Sequence, residues 1–365
     1  MKQPIGILTF HRASNYGAVL QSYALQEEIR LCGGEPLIVN YLCPTVEADH
    51  RPRGLFKHHD LLHALIHYPM KLKKDRLFNE FRKRRLITSR EMSGSDLSLC
   101  KDEYSLFISG SDQVWNDRLS GLDQAYMMAF ADEKQRYSYA CSFGFDSFPE
   151  GREQTYQELL KGIQVVSVRE SSAVSMLEKV GIKAQVDVDP TLLLTREQWR
   201  NFCSEPQHKG AYILVYTVSG DIELLNVARR LSEKTGIQIL YLNNQIKSNR
   251  DIARVKYSTP EEFVGWFANA EYVLTNSFHG TVFSIIFNKK AKIELETKKK
   301  YNVRSRDLLE NCGLSDCILT NTDLDYEFHS DWETANYNLN LMREKSIDYI
   351  KGIIGKAKAI EGIVK

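Results

Sequence analysis

One stretch of the sequence decides the fold: Val273-Leu274-Thr275-Asn276-Ser277-Phe278-His279-Gly280-Thr281-Val282-Phe283. An apolar run meets small and polar residues, and a second apolar run follows them. Ser277 is a typical helix N-cap, so the pattern predicts a strand ending near Thr275 and a helix that begins after Ser277. A strand that leads directly into a helix is the repeating unit of α/β proteins with mainly parallel sheets.

The same alternation recurs along the chain and predicts two similar α/β halves. Predicted strands cover 5–10, 37–40, 106–109, 137–140, 164–168 and 184–188, then 212–217, 237–242, 272–275 and 291–295. Asp187-Val188-Asp189-Pro190-Thr191 marks the junction, because proline restricts the residue before it and bars helix continuation. We therefore expect an N-terminal domain over 1–188, a C-terminal domain over 189–330 and a helical tail over 331–365.

Composition limits the class of protein. The 365 residues are 43% hydrophobic and 26% charged, which indicates a soluble globular chain. A net charge of +1 removes any global argument for a nucleic-acid partner. The seven cysteines are scattered without a CxxC pair, which favours reduced thiols. No signal-peptide pattern precedes the first strand, so we expect a cytoplasmic protein.

Residues 51–90 form a basic segment with twelve Lys or Arg against three acidic residues. Its apolar residues are spaced for an amphipathic helix, so we predict a helical insert in the first half. A basic amphipathic helix can lie on an anionic membrane face or hold a polyanionic substrate. The alternative, which is open at this point, is that the charges are simply solvated.

The loop after the first strand, Thr9-Phe10-His11-Arg12-Ala13-Ser14-Asn15-Tyr16-Gly17-Ala18, is the first candidate site. Asn15 can cap the following helix and Gly17 permits close backbone approach, so the helix start could face an anion or a sugar oxygen. The alternative is an ordinary capped turn. Since no GxGxxG pattern is present, a dinucleotide site is unsupported.

The second candidate is Ser109-Gly110-Ser111-Asp112-Gln113-Val114-Trp115-Asn116, which also follows a strand. Trp115 offers a flat face of the kind on which sugars stack. Asp112 and Gln113 offer paired hydrogen bonds to hydroxyls, and the Asp112 carboxylate could act as a base. The alternative is a turn with a buried tryptophan.

The third candidate is Arg169, which follows the predicted strand in Ser167-Val168-Arg169-Glu170. A guanidinium there suits bidentate binding of phosphate or carboxylate. A structural ion pair with Glu170 is the alternative. Alternation along a strand predicts, however, that neighbouring residues point to opposite faces and that Glu170 does not face Arg169.

His279 is the fourth candidate and the sharpest. It lies in the first turn of the predicted helix, where the positive helix end favours an anion, and a bound phosphate would keep the imidazole protonated as a general acid. Arg304 and Arg306 follow in a predicted loop and could supply a second anion contact. A solvated charged loop is the alternative for these two arginines.

Five segments taken in order, GILTFHRASNYGAVLQSYAL, FISGSDQVW, SVRE, DVDPTLLL and TNSFHGTVFSIIFNK, resemble the polysaccharide pyruvyl transferase family. The resemblance implies two Rossmann-like domains in a GT-B-like arrangement facing a central cleft, with a C-terminal helix that packs back. It also implies phosphoenolpyruvate as donor and a pyruvate ketal formed on a sugar of a surface polysaccharide or its precursor. The chemistry needs no metal or cofactor.

The resemblance implies that Arg169 and His279 form the donor-binding and catalytic pair, and we expect them to converge across the interdomain gap. Asp112 is the expected base, with Asp189 as its rival. The expected donor-binding residues are Arg169, Ser277, Phe278, His279, Gly280, Thr281 and Arg304. The expected acceptor-binding residues are Asn15, Tyr16, Gly17, Ser111, Asp112, Gln113 and Trp115.

Two other functions remain open on the sequence. One is a nucleotide-sugar-dependent GT-B glycosyltransferase, and the other is a non-catalytic glycan-binding protein of a polysaccharide assembly system. The expected partners are phosphoenolpyruvate and a lipid-linked or nucleotide-linked sugar, with no nucleic acid. The basic segment adds peripheral contact with the cytoplasmic face of a membrane as a further expectation.

Overall fold

The computed structural model describes residues 3–50, 61–218, 222–242, 252–255, 257–295, 303–320 and 328–363. The chain divides into two compact units. Unit 1 comprises Met1–Leu193 with Met342–Lys365, and unit 2 comprises Leu194–Leu341. Each unit contains a five-stranded parallel sheet and surrounding helices, which confirms the predicted α/β class.

The sheet of unit 1 has the strand order β3-β2-β1-β4-β5 and is parallel throughout. Its strands are β1 (Ile5–Leu8), β2 (Pro36–Tyr41), β3 (Thr88–Met92), β4 (Leu106–Ser109) and β5 (Arg136–Ser138). A parallel pair, β6 (Val166–Val168) and β7 (Ala184–Val186), is connected to it through bridges at Cys141. Every residue of β1 and β4 is buried, as expected for central strands of a sheet covered on both faces.

The helices of unit 1 follow its strands. They are α1 (Tyr16–Leu31), α2 (Pro44–His50), α3 (Leu61–Arg85), α4 (Gly94–Cys100), α5 (Asp117–Ser120), α6 (Glu153–Leu160) and α7 (Ser171–Glu178). The predicted start of α1 is confirmed, because the Asn15 side chain accepts from the Ala18 amide at 3.3 Å. Gly33 follows the helix with a φ of 80°.

Unit 2 has the strand order β10-β9-β8-β11-β12, again parallel. Its strands are β8 (Tyr212–Tyr216), β9 (Gln238–Leu242), β10 (Ala253–Val255), β11 (Tyr272–Thr275) and β12 (Lys290–Ile293). Its helices are α8 (Arg196–Phe202), α9 (Ile222–Thr235), α10 (Pro260–Asn269), α11 (Phe278–Ile286) and α12 (Val303–Cys312). Arg304 therefore lies in the first turn of α12 rather than in the predicted loop.

The predicted C-terminal helix is confirmed as α13 (Trp332–Ile363). Its residues from Met342 onward belong to unit 1. There Ser346 Oγ donates to Asp187 Oδ1 at 2.9 Å, and Tyr349 donates its phenol hydrogen to the Ser138 carbonyl at 2.8 Å. Ile350 is completely buried. Hydrogen bonds and apolar burial together hold this end of the helix on unit 1.

The basic segment is described from residue 61 onward, and residues 51–60 lie outside the described residues. Helix α3 confirms the helical prediction for 61–85, and its Phe78 and Phe81 are fully buried. The Phe78 ring packs 5.0 Å from Tyr16 of α1. Residues 88–92 form the edge strand β3 and are not part of the helical insert. The sequence did not predict this strand, because the polar stretch TSREM has no alternation of apolar and polar residues. Within the described residues, no helix has the length and apolarity needed to cross a bilayer.

Candidate functional site

The strand orders place two polar loops at the centre of each sheet. In unit 1 the order reverses between β1 and β4, and in unit 2 between β8 and β11. Open α/β sheets bind ligands at such switch points, outside the carboxyl ends of the strands. The loops at these positions contain most of the predicted site residues. We call the region at each switch point the crevice of that unit, and its crevice loops are those after β1 and β4 in unit 1 and after β8 and β11 in unit 2.

In unit 1 the two crevice loops are connected. Thr9 Oγ1 donates to the Ser111 carbonyl at 3.3 Å. Asn15 is exposed at the start of α1, while Tyr16 and Gly17 are buried. Because the Tyr16 ring packs against Phe78, it belongs to the core. Of the three predicted acceptor residues in the β1 loop and at the start of α1, only Asn15 is open to solvent.

Trp115 is not a sugar platform, and that part of the acceptor prediction is wrong. Its side chain is 0% exposed, its indole N–H donates to the Tyr126 carbonyl at 3.1 Å, and its ring lies 5.2 Å from Phe143. A face enclosed in this way cannot stack on a ligand. The polar residues before it suggested a surface turn, but the chain after Gln113 re-enters the core.

Asp112 is the unusual residue of this loop. Its φ is +67°, a left-handed conformation that non-glycine residues adopt rarely and at some energetic cost. Its carbonyl accepts from the Ser142 amide at 3.0 Å, and its side chain is 18% exposed. Next to it, Gln113 is partly exposed and accepts from Asn116 Nδ2 at 2.8 Å. Asp112 is thus held in a strained backbone with its carboxylate accessible.

Arg169 lies among three carboxylates. Its Nη1 donates to Asp189 Oδ2 at 2.6 Å, its Nη2 is 3.9 Å from Asp112 Oδ1, and its Nε is 3.9 Å from Glu170 Oε2. The prediction that Glu170 faces away is therefore wrong. Arg169 has left β6, and Glu170 is already the N-cap of α7, so strand alternation no longer applies.

The Arg169 cluster is acidic overall, since one guanidinium faces three carboxylates. The Arg169 side chain is 2% exposed. Burial alone would lower the pKa of its guanidinium, but the carboxylates of Asp189, Glu170 and Asp112 outweigh burial and raise it. The arginine therefore stays charged, and its charge is already compensated within the protein.

Asp189 is the anchor of the cluster. Its Oδ1 accepts from the Thr191 amide and hydroxyl at 3.0 and 2.5 Å, and its Oδ2 accepts from Ser111 Oγ at 3.3 Å besides Arg169. Its side chain is 0% exposed. A carboxylate enclosed and occupied in this way is poorly placed to take a proton from a substrate, so the geometry favours Asp112 over Asp189 as the base.

In unit 2 the start of α11 forms as predicted. Ser277 caps the helix, with its hydroxyl accepting from the Gly280 amide at 3.4 Å. His279 is partly exposed in the first turn. A Cβ on Gly280 would lie 2.3 Å from Thr275 Oγ1, so only glycine lets the helix begin this close to the end of β11.

Arg304 joins this helix start. Its guanidinium carbon lies 5.4 Å from the centre of the Phe278 ring, and the Phe278 and His279 rings are 5.2 Å apart. The structure thus brings together, within unit 2, all the predicted donor-binding residues except Arg169: Ser277, Phe278, His279, Gly280, Thr281 and Arg304. A guanidinium, an imidazole and a positive helix end make this crevice suited to an anion.

A family model, that of polysaccharide pyruvyl transferase, matches residues 15–291 of this sequence. The matched region covers more than half of the chain and contains Asp112, Arg169 and His279. The chain belongs to the polysaccharide pyruvyl transferase family. No protein with a curated description matches it significantly.

Three solved structures similar to this pyruvyl transferase family member have TM-scores below 0.5. UDP-GlcNAc 2-epimerase from Neisseria meningitidis, bound to UDP-GlcNAc, has a TM-score of 0.49 at 10% identity, covering 100% of this chain and 98% of that one. The epimerase from Methanocaldococcus jannaschii has a TM-score of 0.48 at 12% identity, covering 94% and 92%. The Streptomyces glycosyltransferase SsfS6, complexed with thymidine diphosphate, has a TM-score of 0.41 at 14% identity, covering 96% and 99%.

Two residues of this pyruvyl transferase family member gain importance only from the structure. Asn276 joins the two crevice loops of unit 2, accepting from the Val218 amide at 2.9 Å and donating to Glu294 Oε2 at 3.4 Å. His11 is 2% exposed in the β1 loop, and burial lowers the pKa of its imidazole from 6.5 to about 4. The only sequence signal for either was its place directly after a strand.

Proposed function

We propose that the protein transfers the three-carbon unit of phosphoenolpyruvate to two hydroxyls of one sugar, forming a cyclic pyruvate ketal and releasing phosphate. Membership of the pyruvyl transferase family supports the reaction class. The observation that carries the donor assignment is the start of α11, where His279 and Arg304 flank a helix end suited to an anion.

The proposed chemistry begins with proton transfer from His279 to the methylene carbon of the donor. This step turns CH₂ into CH₃ and leaves cationic character on the carbon that bears phosphate. One sugar hydroxyl adds to that carbon and gives its proton to Asp112. The second hydroxyl then adds as the carbon–oxygen bond to phosphate breaks, and its proton leaves with phosphate or solvent. General acid catalysis of this kind contributes on the order of 10²- to 10⁴-fold.

Arg304 and the α11 helix end are proposed to bind the negative charges of the donor in unit 2. Asn15, Asp112 and Gln113 remain the proposed acceptor contacts in unit 1. Ser111, also predicted, is buried with its hydroxyl bonded to Asp189 and is not among them. Asp112 and Gln113 support this assignment because they are partly exposed at the switch point. Holding two hydroxyls of one sugar close together would supply much of the remaining rate enhancement.

The test is a donor and acceptor panel. Phosphoenolpyruvate with the acceptor sugar should yield inorganic phosphate and a pyruvylated product in equal amounts, measured by colorimetry and mass spectrometry. Release of a nucleoside diphosphate from a nucleotide sugar would instead identify a glycosyltransferase. Acceptor binding without turnover of any donor would identify a glycan-binding protein.

The matched variants are His279→Ala and His208→Ala. His208 is also in unit 2 and partly exposed, but it packs at the amino end of β8 with its ring 5.1 Å from Tyr212. Loss of the proposed acid should lower turnover about 10³-fold, and loss of His208 should change it less than about twofold. Near-normal turnover in His279→Ala would contradict the proposal.

We also propose that α3 holds the protein against an anionic membrane face that presents a lipid-linked acceptor. Its exposed side chains include five cations and one acid: Lys73, Arg76, Lys83, Arg84, Arg85 and Glu80. Each cation near an anionic surface adds about 1 kcal/mol of attraction, which salt weakens.

Vesicles of neutral and anionic lipid test this surface by co-sedimentation. Binding should require anionic lipid and should be lost in Lys83→Glu/Arg84→Glu. A soluble acceptor should be pyruvylated at the normal rate by that variant. Equal binding to both vesicle types, or none, would contradict the membrane proposal without affecting the reaction.

A further inference from the structure

Two buried aspartates lie two residues apart in Asp187-Val188-Asp189, and the structure gives them different partners. Asp187 accepts from Ser167 Oγ at 2.6 Å, from Gln185 Nε2 at 2.6 Å and from Ser346 of α13. Asp189 accepts from Arg169 and Ser111. Asp187 therefore ties α13 to its unit, whereas Asp189 is bonded to residues around the candidate base.

The contacts of Asp189 lead to Asp112 by two short routes. Arg169 Nη1 is bonded to Asp189, while Nη2 of the same rigid guanidinium is 3.9 Å from the Asp112 carboxylate. Ser111, the residue before Asp112, donates its hydroxyl to Asp189 and accepts from Arg169 Nη1 at 3.4 Å. Both routes end on the residue whose φ is +67°.

A left-handed aspartate persists only where its surroundings hold it in place, because the conformation costs roughly 1–3 kcal/mol. The Ser142 amide donates to the Asp112 carbonyl. Arg169, which is bonded to Asp189, lies 3.9 Å from the Asp112 carboxylate and donates to the neighbouring Ser111. The hydrogen bond from Arg169 Nη1 to Asp189 is buried and joins two charged groups, which makes it one of the stronger polar contacts available to a protein.

We propose that Asp189 is a positioning residue, which acts through Arg169 and Ser111 to hold Asp112 in its strained conformation for the acceptor hydroxyl. This inference rests on the proposed ketal-forming reaction, in which Asp112 is the base.

A double-variant cycle tests it, with Asp112→Asn, Asp189→Asn and the pair combined. Loss of the base should lower kcat about 100-fold, and loss of its support about 10- to 30-fold, with KM for phosphoenolpyruvate within about twofold of normal. Because Asp189 acts through Asp112, the combined variant should be no slower than Asp112→Asn alone.

Asp187→Asn is the matched control. It removes an equally buried carboxylate on the same segment and should lower the melting temperature while leaving kcat within about threefold of normal. Ser111→Ala, which removes the hydroxyl bonded to Asp189, replaces Asp189→Asn in the cycle should the latter fail to fold. Multiplying effects in the combined variant, or a tenfold rise in KM for the donor with kcat preserved, would overturn the inference.

A substrate-free measurement separates this inference from the reaction it rests on. Hydrogen exchange of the peptide covering 110–116 should accelerate at least about tenfold in Asp189→Asn and remain unchanged in Asp187→Asn. If wild-type protein pyruvylates nothing yet shows this difference, the reaction fails and the support of Asp112 stands. Equal exchange in the two variants would overturn the support itself.

Discussion

The crevices of units 1 and 2 have the same topology and opposite charge. Both lie where the order of a five-stranded parallel sheet reverses, between β1 and β4 in unit 1 and between β8 and β11 in unit 2. Unit 1 places three carboxylates around Arg169, while unit 2 places His279 and Arg304 at a positive helix end. The difference teaches that the fold decides where a site lies, and that a few side chains decide which ligand it suits.

The two crevice histidines show the same contrast. His11 follows β1 in unit 1 and is enclosed, with Nδ1 3.1 Å from the Thr9 carbonyl and Nε2 3.3 Å from Asn40 Oδ1. His279 follows β11 in unit 2 and is partly exposed. The first is a structural residue of a loop, whereas the second is partly exposed at the start of a helix with its Nε2 atom buried.

The largest expected effect on stability concerns His11 and sharpens this contrast. Its pKa is about 4 in the folded protein against 6.5 for a free imidazole. Between these values the unfolded chain binds a proton that the folded protein does not. Because of His11, the free energy of unfolding should therefore fall by up to about 3 kcal/mol as the pH falls from 6.5 to 4.

Urea unfolding at a series of pH values measures this effect in wild type and His11→Gln. The variant should lose that part of the pH dependence, while its turnover should change little at neutral pH. An identical decline in stability in both proteins would show that His11 is not the enclosed neutral group that distinguishes unit 1.

The next largest effect tests whether Trp115 is a core residue of unit 1 and not a contact for the acceptor sugar. Trp115→Phe should lower the free energy of unfolding by about 1–3 kcal/mol, because a filled volume and a hydrogen bond are lost. KM for the acceptor should stay within about twofold of normal. A tenfold rise in acceptor KM at unchanged stability would show that Trp115 contacts the acceptor sugar after all, and would contradict its assignment to the core of unit 1.

The smallest effect tests the cationic crevice of unit 2. Arg304 lies over Phe278, whereas Arg306 is half-exposed with Glu310 at 3.8 Å. Arg304→Gln should raise KM for phosphoenolpyruvate about tenfold, and Arg306→Gln less than about twofold. Steady-state kinetics at varied donor concentration measures both, and equal effects would remove Arg304 from the donor site.

Local chemistry made much of the fold predictable. Apolar runs identified β1, β4, β8 and β11, and Asn15 and Ser277 identified the starts of α1 and α11, because a strand interior and a helix cap are set by neighbouring residues. The edge strands β3 and β10 escaped prediction. An edge strand needs little apolar surface of its own, so its pattern resembles a loop.

The partners of Arg169 could not be predicted in the same way. The sequence offers Glu170 as the nearest acid, but the parallel pairing of Val168 with Val186 brings Asp189 to Arg169 as well. Trp115 shows the converse error, because its polar neighbours indicated a surface that the core encloses. Both depend on contacts between residues distant in the chain.

The sequence by itself determined the α/β class, the helix starts at Asn15 and Ser277, the placement of polar residues at strand exits and the family. Only the tertiary structure decided that Trp115 is buried, that three carboxylates surround Arg169, and that Asp112 rather than Asp189 has an accessible side chain. The physical reason is that hydrogen-bond propensity acts over a few residues, whereas burial and charge compensation are sums over neighbours that only the folded chain brings together.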